Sequence, residues 1–314
     1  MPAPRLAVLL TVHDQRPFLG PAIASILAQT LRMFDFIIVD DASTDGAREV
    51  IEAAARSDSR IRPLFLPQNL GLGGALQAGL ALTDADLVAR MDGDDIAMPD
   101  RLRLQLAAME GGRLDVLGTA YTRLGARHWW QTGTRRPMRG HENIVRNLPY
   151  ANELCHPSVM FRKSVIDAAG GYDPRFVFAQ DYDLWLRLIG RARFDNVPQG
   201  LLQMRRHAAR SSGPQNRERH TRFSVTAAAN HFLRRSGAEP LDPRGSPLAL
   251  AEALVRLLGT WAGETEAHRA LVRHATRLVR NCPLPPVARA DLRAAVLAGA
   301  DWRAQARWRL YRLG

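Results

Sequence analysis

Residues 85–95 read Ala-Asp-Leu-Val-Ala-Arg-Met-Asp-Gly-Asp-Asp. A largely apolar run stops at a loop rich in acid. The run predicts a strand over Ala85–Met91, with the carboxylates just past its carboxyl end. The same layout precedes it. Leu6–Val12 (LAVLLTV) is apolar without alternation, as is Phe34–Val39 (FDFIIV), and strands covered on both faces look like this. Ile61–Leu66 predicts a further strand. Helical spacing fills the gaps. Phe18, Ala22, Ile23, Ile26 and Leu27 share one face of a helix over Pro17–Thr30. A second helix is expected over roughly 45–57, capped by Ser43 or Thr44. A third is expected over Leu72–Leu82, after a turn containing Gly71, Gly73 and Gly74. Strands alternating with helices at this interval predict an α/β fold, a mostly parallel sheet with flanking helices. Such sheets bind ligands beyond the carboxyl ends of their strands. Asp40-Asp41 and Asp92–Asp95 both fall there.

The following stretch is less regular. A helix near 99–110 and a strand near 114–119 are expected, then a loop over His128–Gly140 containing Trp129 and Trp130. A short strand over Val159–Phe161 leads to a helix over Lys163–Ala169, ended by Gly170-Gly171. A helix over Gln180–Ile189 and a strand over Ala192–Val197 follow. Composition changes near residue 212, at Ser211-Ser212-Gly213-Pro214. The rest reads as helical, rich in Ala and Arg and broken by prolines. This gives one domain over 1–212 and a helical, Arg-rich region over 213–314.

Carboxylates two residues apart in a strand-end loop can share a hard divalent cation, and oxygen ligands favour Mg²⁺ or Mn²⁺. Asp92, Asp94 and Asp95 would repel one another without a neutralising partner. The plain alternative is a solvated acidic turn before the helix after Pro99, and the tetrapeptide by itself does not decide. Its surroundings do. LLTVHDQRPFLGPAIASILAQT (9–30) is followed by FIIVDDASTDGA (36–47), then NLGLGGALQAGL (69–80), then ARMDGDDIAMPDRLRLQ (89–105). HPSVMFRKSVIDAAGGYDPRF (156–176), AQDYDLWLRL (179–188) and MRRH (204–207) complete the series. In order and spacing these segments resemble glycosyltransferase family 2, inverting enzymes of the GT-A fold with a Rossmann-like nucleotide-binding half. The resemblance spans about residues 5–212.

The resemblance implies a nucleotide-binding half over 1–95 and an acceptor half over 96–212. It implies a nucleotide-sugar donor, expected to be a UDP-sugar, held by Thr11, His13, Asp40, Asp41, Gly71, Arg90 and Asp92. Asp40 or Asp41 would accept hydrogen bonds from the base or ribose. Asp94 would bind the metal, with His207 as a further metal or phosphate contact. A cation there stabilises the departing diphosphate as a Lewis acid. The acceptor hydroxyl, of a glycan or a lipid-linked saccharide, needs one positioned base. Asp181 matches the aspartate of the family's Glu-Asp pair. Asp183 remains a second candidate, and either carboxylate also suits a helix N-terminus for its dipole alone. Pro149–His156 and the Trp129-Trp130 loop are candidate acceptor surfaces.

Two departures matter. His13-Asp14 replaces the family's aromatic-Asn turn, and Gln180 replaces the glutamate before Asp181. Losing that like charge should lower the pKa of Asp181 and weaken it as a base. These departures motivate a second reading, a weakly active or inactive nucleotide-sugar-binding scaffold in polysaccharide assembly. Gln77 is expected mainly to pack.

The chain has 314 residues, 46% hydrophobic, and carries a net charge of +12. Of its 43 basic residues only Lys163 is lysine. Arg269, Arg273, Arg277 and Arg280 share one helical face, and Leu271, Ala275, Leu278 and Cys282 another. Ten arginines against two acids, Asp291 and Asp301, occupy 269–314, with Trp302, Trp308 and Tyr311 among them. Such mixing suits an anionic membrane surface, and it equally suits a helical subdomain with a solvated Arg face. Nucleic acid is not an expected partner, since no recognised motif accompanies the charge. Two distant cysteines make no disulfide framework. No run approaches the roughly 20 apolar residues of a membrane span, and Met1–Leu10 reads as a first strand rather than a signal peptide. A cytoplasmic protein, peripheral at the inner face of the membrane if the Arg-rich region binds there, is the expectation.

Overall fold

Strand β1 (Leu6–Val12) is buried at every residue and lies inside the sheet. It pairs in parallel with β2 (Asp35–Asp40) on one side and β4 (Leu87–Asp92) on the other. Beyond β2 comes β3 (Ile61–Phe65), also parallel. The computed structural model describes residues 6–124, 133–207 and 213–298. Past β4 the sheet turns mixed. Strands β5 (Ile96–Ala97), β6 (Val116–Leu124), β7 (Met160–Arg162) and β8 (Phe194–Arg205) complete the order β3-β2-β1-β4-β7-β6-β8-β5. Strand β7 is antiparallel to both neighbours, and β8 runs parallel to β6.

Helices α1 (Arg16–Leu27), α2 (Ala47–Ser57), α3 (Gly71–Leu80), α4 (Arg101–Gly112), α5 (His141–Asn147) and α6 (Lys163–Ala168) accompany these strands. Alternate residues of β1, Val8, Leu10 and Val12, join Phe36, Ile38 and Met91 in a core with Ile23 and Ile26 of α1 and Ile51 of α2. Helix α3 presses on the other face, where a Cβ at Gly79 would stand 2.3 Å from Leu9 Cδ1. The expected cap of α2 is corrected. Gly46 precedes that helix with φ +88°, and Asp45 Oδ1 accepts from Ala47 N at 3.1 Å. Ser43 and Thr44 instead clasp Asp14: its N–H donates to Ser43 Oγ, and its Oδ1 accepts from Thr44 N.

The chain forms two compact units. The first holds all eight strands and α1–α6. The second gathers residues 148–151, 175–187 and the chain from Ser211 onward. It contains α7 (Gln180–Leu188), α8 (Arg217–Arg235), α9 (Pro247–Thr260), α10 (Thr265–Asn281) and α11 (Pro286–Ala298). Phe232, Leu254, Leu271, Leu278 and Leu292 lie in its core. Prolines start two of its helices, where a missing N–H costs nothing. At α9 the Ser246 hydroxyl accepts from Ala249 N at 3.1 Å. The arginine face of α10 is only partly solvated: Arg269, Arg273 and Arg280 are exposed, while Arg277 is half-buried. Trp129-Trp130 and the aromatic tail from Trp302 lie outside the described residues. No helix among the described residues is long and apolar enough to cross a membrane.

Candidate donor and metal site

Register brings the two acidic clusters together. Thr11 stands opposite Asp92, and Val12 opposite Asp40, so three parallel strands end side by side. The loop after β4 lies on the end of β1 because residue 93 is glycine. A Cβ there would meet Gln15 Oε1 at 2.7 Å and Val12 Cβ at 3.2 Å.

Carboxylate oxygens of Asp92, Asp94 and Asp95 all lie within 4.8 Å of one another. Each is held differently. Asp92 pairs with Arg90, whose side chain is 1% exposed. Burial works against the charge of Arg90, but Asp92 outweighs it and raises the guanidinium's pKa. Asp94 Oδ2 meets His207 Nε2 at 2.7 Å. Asp95 Oδ1 accepts from Arg205 N at 2.8 Å, while its buried Oδ2 has no hydrogen-bond partner among the described residues. Burial, then repulsion from Asp92 and Asp94, pushes the pKa of Asp95 well up. A buried orphan oxygen in a group of three carboxylates with an imidazole beside them fits a hard dication, which would offset the repulsion.

The other expected donor contacts line the same strand ends. Asp40 and Asp41 are both buried. Asp40 Oδ1 accepts from Ser43 N, and Asp41 Oδ1 from Leu70 N at 2.7 Å. That last bond ties β2 to the start of α3, where Gly71 has φ +72°. His13 Nδ1 lies 2.9 Å from Asp41 O, so the substituted turn still sits at the rim. Thr11 Oγ1 is buried without a partner among the described residues.

Four further residues contribute to the site or its surroundings in ways not assigned from the sequence. Arg205 donates through Nε to Asp94 O at 2.9 Å and stacks over Phe18 at 5.0 Å. Phe18 in turn packs on His207, ring centres 4.7 Å apart. His156 is buried, with Nε2 2.9 Å from Tyr172 Oη. Burial and then the charge of Arg90 lower its pKa well below the usual imidazole range. A buried His156 removes it from the acceptor surface expected over Pro149–His156. His156 and Tyr172 stand in a segment that carries the resemblance, but no spacing joins them; only the fold does.

Asp181 belongs to the second unit and stands half-buried in the first turn of α7. Gln180 beside it is buried. Asp183 is fully buried, with Oδ2 2.8 Å from Arg187 Nε and Oδ1 3.4 Å from Arg234 Nη2. Its oxygens are engaged by two arginines, which leaves Asp181 as the carboxylate of this turn with the more open position.

The model of the family described as "Glycosyl transferase family 2" matches residues 7–169. The O-antigen biosynthesis glycosyltransferase WbnJ of Escherichia coli is 30% identical over 207 residues, 64% of this chain and 80% of that protein. The UDP-Gal:alpha-D-GlcNAc-diphosphoundecaprenol beta-1,3-galactosyltransferase of Escherichia coli is 30% identical over 216 residues, 64% and 74%. Among solved structures, S. aureus TarS 1-349 in complex with UDP-GlcNAc aligns with a TM-score of 0.62 at 17% identity, over 94% of this chain and 89% of that one. The mannosyltransferase PcManGT from Pyrobaculum calidifontis, in complex with GDP-Man and Mn2+, aligns at 0.55 and 14% identity, over 97% and 83%. These structures share the GT-A fold. With its family segments in order along the strand ends, this chain belongs to glycosyltransferase family 2 and is a glycosyltransferase.

Proposed function

We propose that the chain transfers a sugar from a UDP-sugar to a hydroxyl of a glycan or lipid-linked saccharide, with a divalent metal and with inversion. The observation that carries this is the group of three carboxylates at the end of β4, with its orphan oxygen and its His207 contact. The names of two relatives point the same way: one acts in O-antigen biosynthesis, the other takes UDP-Gal to a diphosphoundecaprenol-linked sugar.

In this reading Asp41, already tied to α3, borders the base and ribose. Thr11 offers a hydroxyl that has no hydrogen-bond partner among the described residues. Arg90 orients Asp92 toward the donor. Asp94, Asp95 and His207 would hold Mg²⁺ or Mn²⁺, which when bound withdraws charge from the leaving diphosphate. Arg205 fixes the loop from behind, through its backbone N–H and its Nε. Asp181 takes the proton of the acceptor hydroxyl as the new glycosidic bond forms and the bond to the diphosphate breaks. A glycosyltransferase domain over 1–212 and a helical, Arg-rich region over 213–314 is the proposed organisation of the chain, although residues 148–151 and 175–187 of the former fall in the second compact unit.

Screening nucleotide sugars for hydrolysis and transfer tests the reading. Turnover of a UDP-sugar that needs Mn²⁺ and stops with chelator is the expected result. Turnover untouched by chelator would remove the metal, and an inverted choice of nucleotide would remove UDP.

A further inference from the structure

Arg101 is the first residue of α4, and its side chain is fully buried. Both facts argue against an arginine there. Burying a cation is costly, and the start of a helix favours anions. Yet all three nitrogens of its guanidinium are engaged. Nη2 donates to Arg90 O at 2.6 Å, and Nη1 reaches Met91 Sδ at 3.3 Å. Nε donates to Gln105 Oε1 at 3.0 Å. Burial lowers its pKa to about 10, so it stays charged at neutral pH. Asp95 and Asp92 favour that charge, without a hydrogen bond to it among the described residues.

The bonds to Arg90 and Met91 close a loop. Those two residues come directly before Asp92, and Arg101 comes after Asp94, Asp95, β5 and Pro99. One side chain therefore joins the two ends of the segment that carries all three carboxylates. Each end is anchored in turn. Arg90 N donates to Val159 O at 2.8 Å. Gln105 Nε2, one turn along α4, donates to Leu117 O of β6 and to Ser158 O, both at 2.9 Å. Gln29 fixes the backbone flanking Arg101: its Nε2 donates to Met98 O at 2.7 Å, and its Oε1 accepts from Leu102 N at 3.0 Å.

We propose that Arg101 is a positioning residue for the donor, fixing the end of β4 so that Arg90 presents Asp92 to the nucleotide sugar and its cation. This rests on reading the carboxylate group as the donor and metal site. The planar fork explains the residue type. It aims several donors in fixed directions, and a charged donor bonds a carbonyl more strongly than a neutral one. An apolar side chain of similar length would fill the space at less cost in buried charge. It would leave Arg90 O unheld, and with it the backbone from which Arg90 reaches Asp92. Such a shift changes affinity for the donor in molecules that are fully folded.

Calorimetry on the full chain with UDP, with and without Mn²⁺, tests this in Arg101→Met and Arg101→Lys. The Met variant should bind UDP with Mn²⁺ about tenfold or more weakly, as for groups that orient a metal site. The Lys variant keeps a cation but not the fork and should recover part. KM for the UDP-sugar should rise by a similar factor. A merely structural role would lower the fraction of competent protein, and with it kcat, while Kd and KM stay at wild-type values; that result would overturn the proposal. In an Asp92→Asn background the Arg101→Met factor should shrink, because both changes act through one ion pair. Factors that multiply in full would overturn it as well. If the Met variant does not fold, Arg101→Lys carries the test, and a Kd equal to wild type in it counts against the fork. UDP binding by wild type that ignores Mn²⁺ is a different failure, of the metal reading alone, since UDP affinity still reports on Arg101.

Discussion

His207 Nε2 and Asp94 Oδ2 stand 2.7 Å apart, which makes the end of β8 part of the loop after β4. Both groups can ligate a cation, and Phe18 holds the imidazole ring in place. Asp94→Ala is expected to abolish Mn²⁺-dependent binding of UDP. His207→Ala should weaken it by about tenfold or more, as for groups that orient or complete a metal site. Titration calorimetry with UDP and Mn²⁺ reads both, and unchanged affinity in Asp94→Ala would sink the metal assignment.

Asp181 and Asp183 stand in one turn but should answer differently to the same change. Asp181→Asn is expected to keep donor binding and lose transfer, since it removes a half-exposed base and little packing. Asp183→Asn removes a buried charge from between Arg187 and Arg234. Breaking such a pair costs about 3–5 kcal/mol. Urea midpoints and single-turnover transfer separate the two: wild-type turnover in Asp181→Asn would move the base elsewhere.

The first half of the fold is legible in the sequence because β1, β2 and β4 are largely apolar, without alternation, and stop at acids or turns. That pattern alone puts Asp40, Asp41 and Asp92–Asp95 at strand ends. Beyond residue 95 the code fades. The sequence predicts an end to β8 at Val197, since Pro198 and Gly200 break the pattern. The strand continues to Arg205 because register shifts around Ala120 of β6 absorb the irregularity. Two-residue β5 has no period to read, and α5 buries only Ile144. The contacts of Arg205 with Asp94 and Asp95, and of His156 with Tyr172, join segments far apart in sequence. The glycine before α2 is hidden because Ser43 and Thr44 carry cap chemistry but spend it on Asp14.

The second unit should lose stability in mild acid. Burial, its largest cause, lowers the pKa of His274 to about 3 and that of His231 to about 4. His274 Nε2 is 2.8 Å from Pro149 O, and its Nδ1 is buried without a partner among the described residues. Both imidazoles fold neutral, whereas the unfolded chain takes up protons below about 6.5. Stability is therefore complete above about pH 6.5 and falls as pH drops toward the folded values. Each histidine contributes about 1.4 kcal/mol per pH unit at most in that window. Urea midpoints at pH 7.5, 6 and 5 should decline, and less steeply in His274→Gln. Equal slopes in variant and wild type would remove His274 as a cause.

Gly171 is required twice over. Its φ is +68°, and a Cβ there would stand 2.2 Å from Gln77 Oε1. That same oxygen accepts from Tyr172 N at 3.1 Å, so Gln77 does more than pack α3: it anchors the residue whose hydroxyl meets His156. Gly171→Ala must strain the backbone and also push Gln77 off Tyr172. Overpacking and left-handed strain together predict a loss of about 2–4 kcal/mol. Gln77→Ala alone removes the anchor without the strain and should cost about 1 kcal/mol. In the double variant the clash is gone but the positive φ remains. Its loss should then fall below the sum of the two single losses, because they share one contact. Thermal melts of the four proteins decide this. Additive losses would mean that Gln77 does not meet residue 171, and that backbone conformation alone explains the glycine.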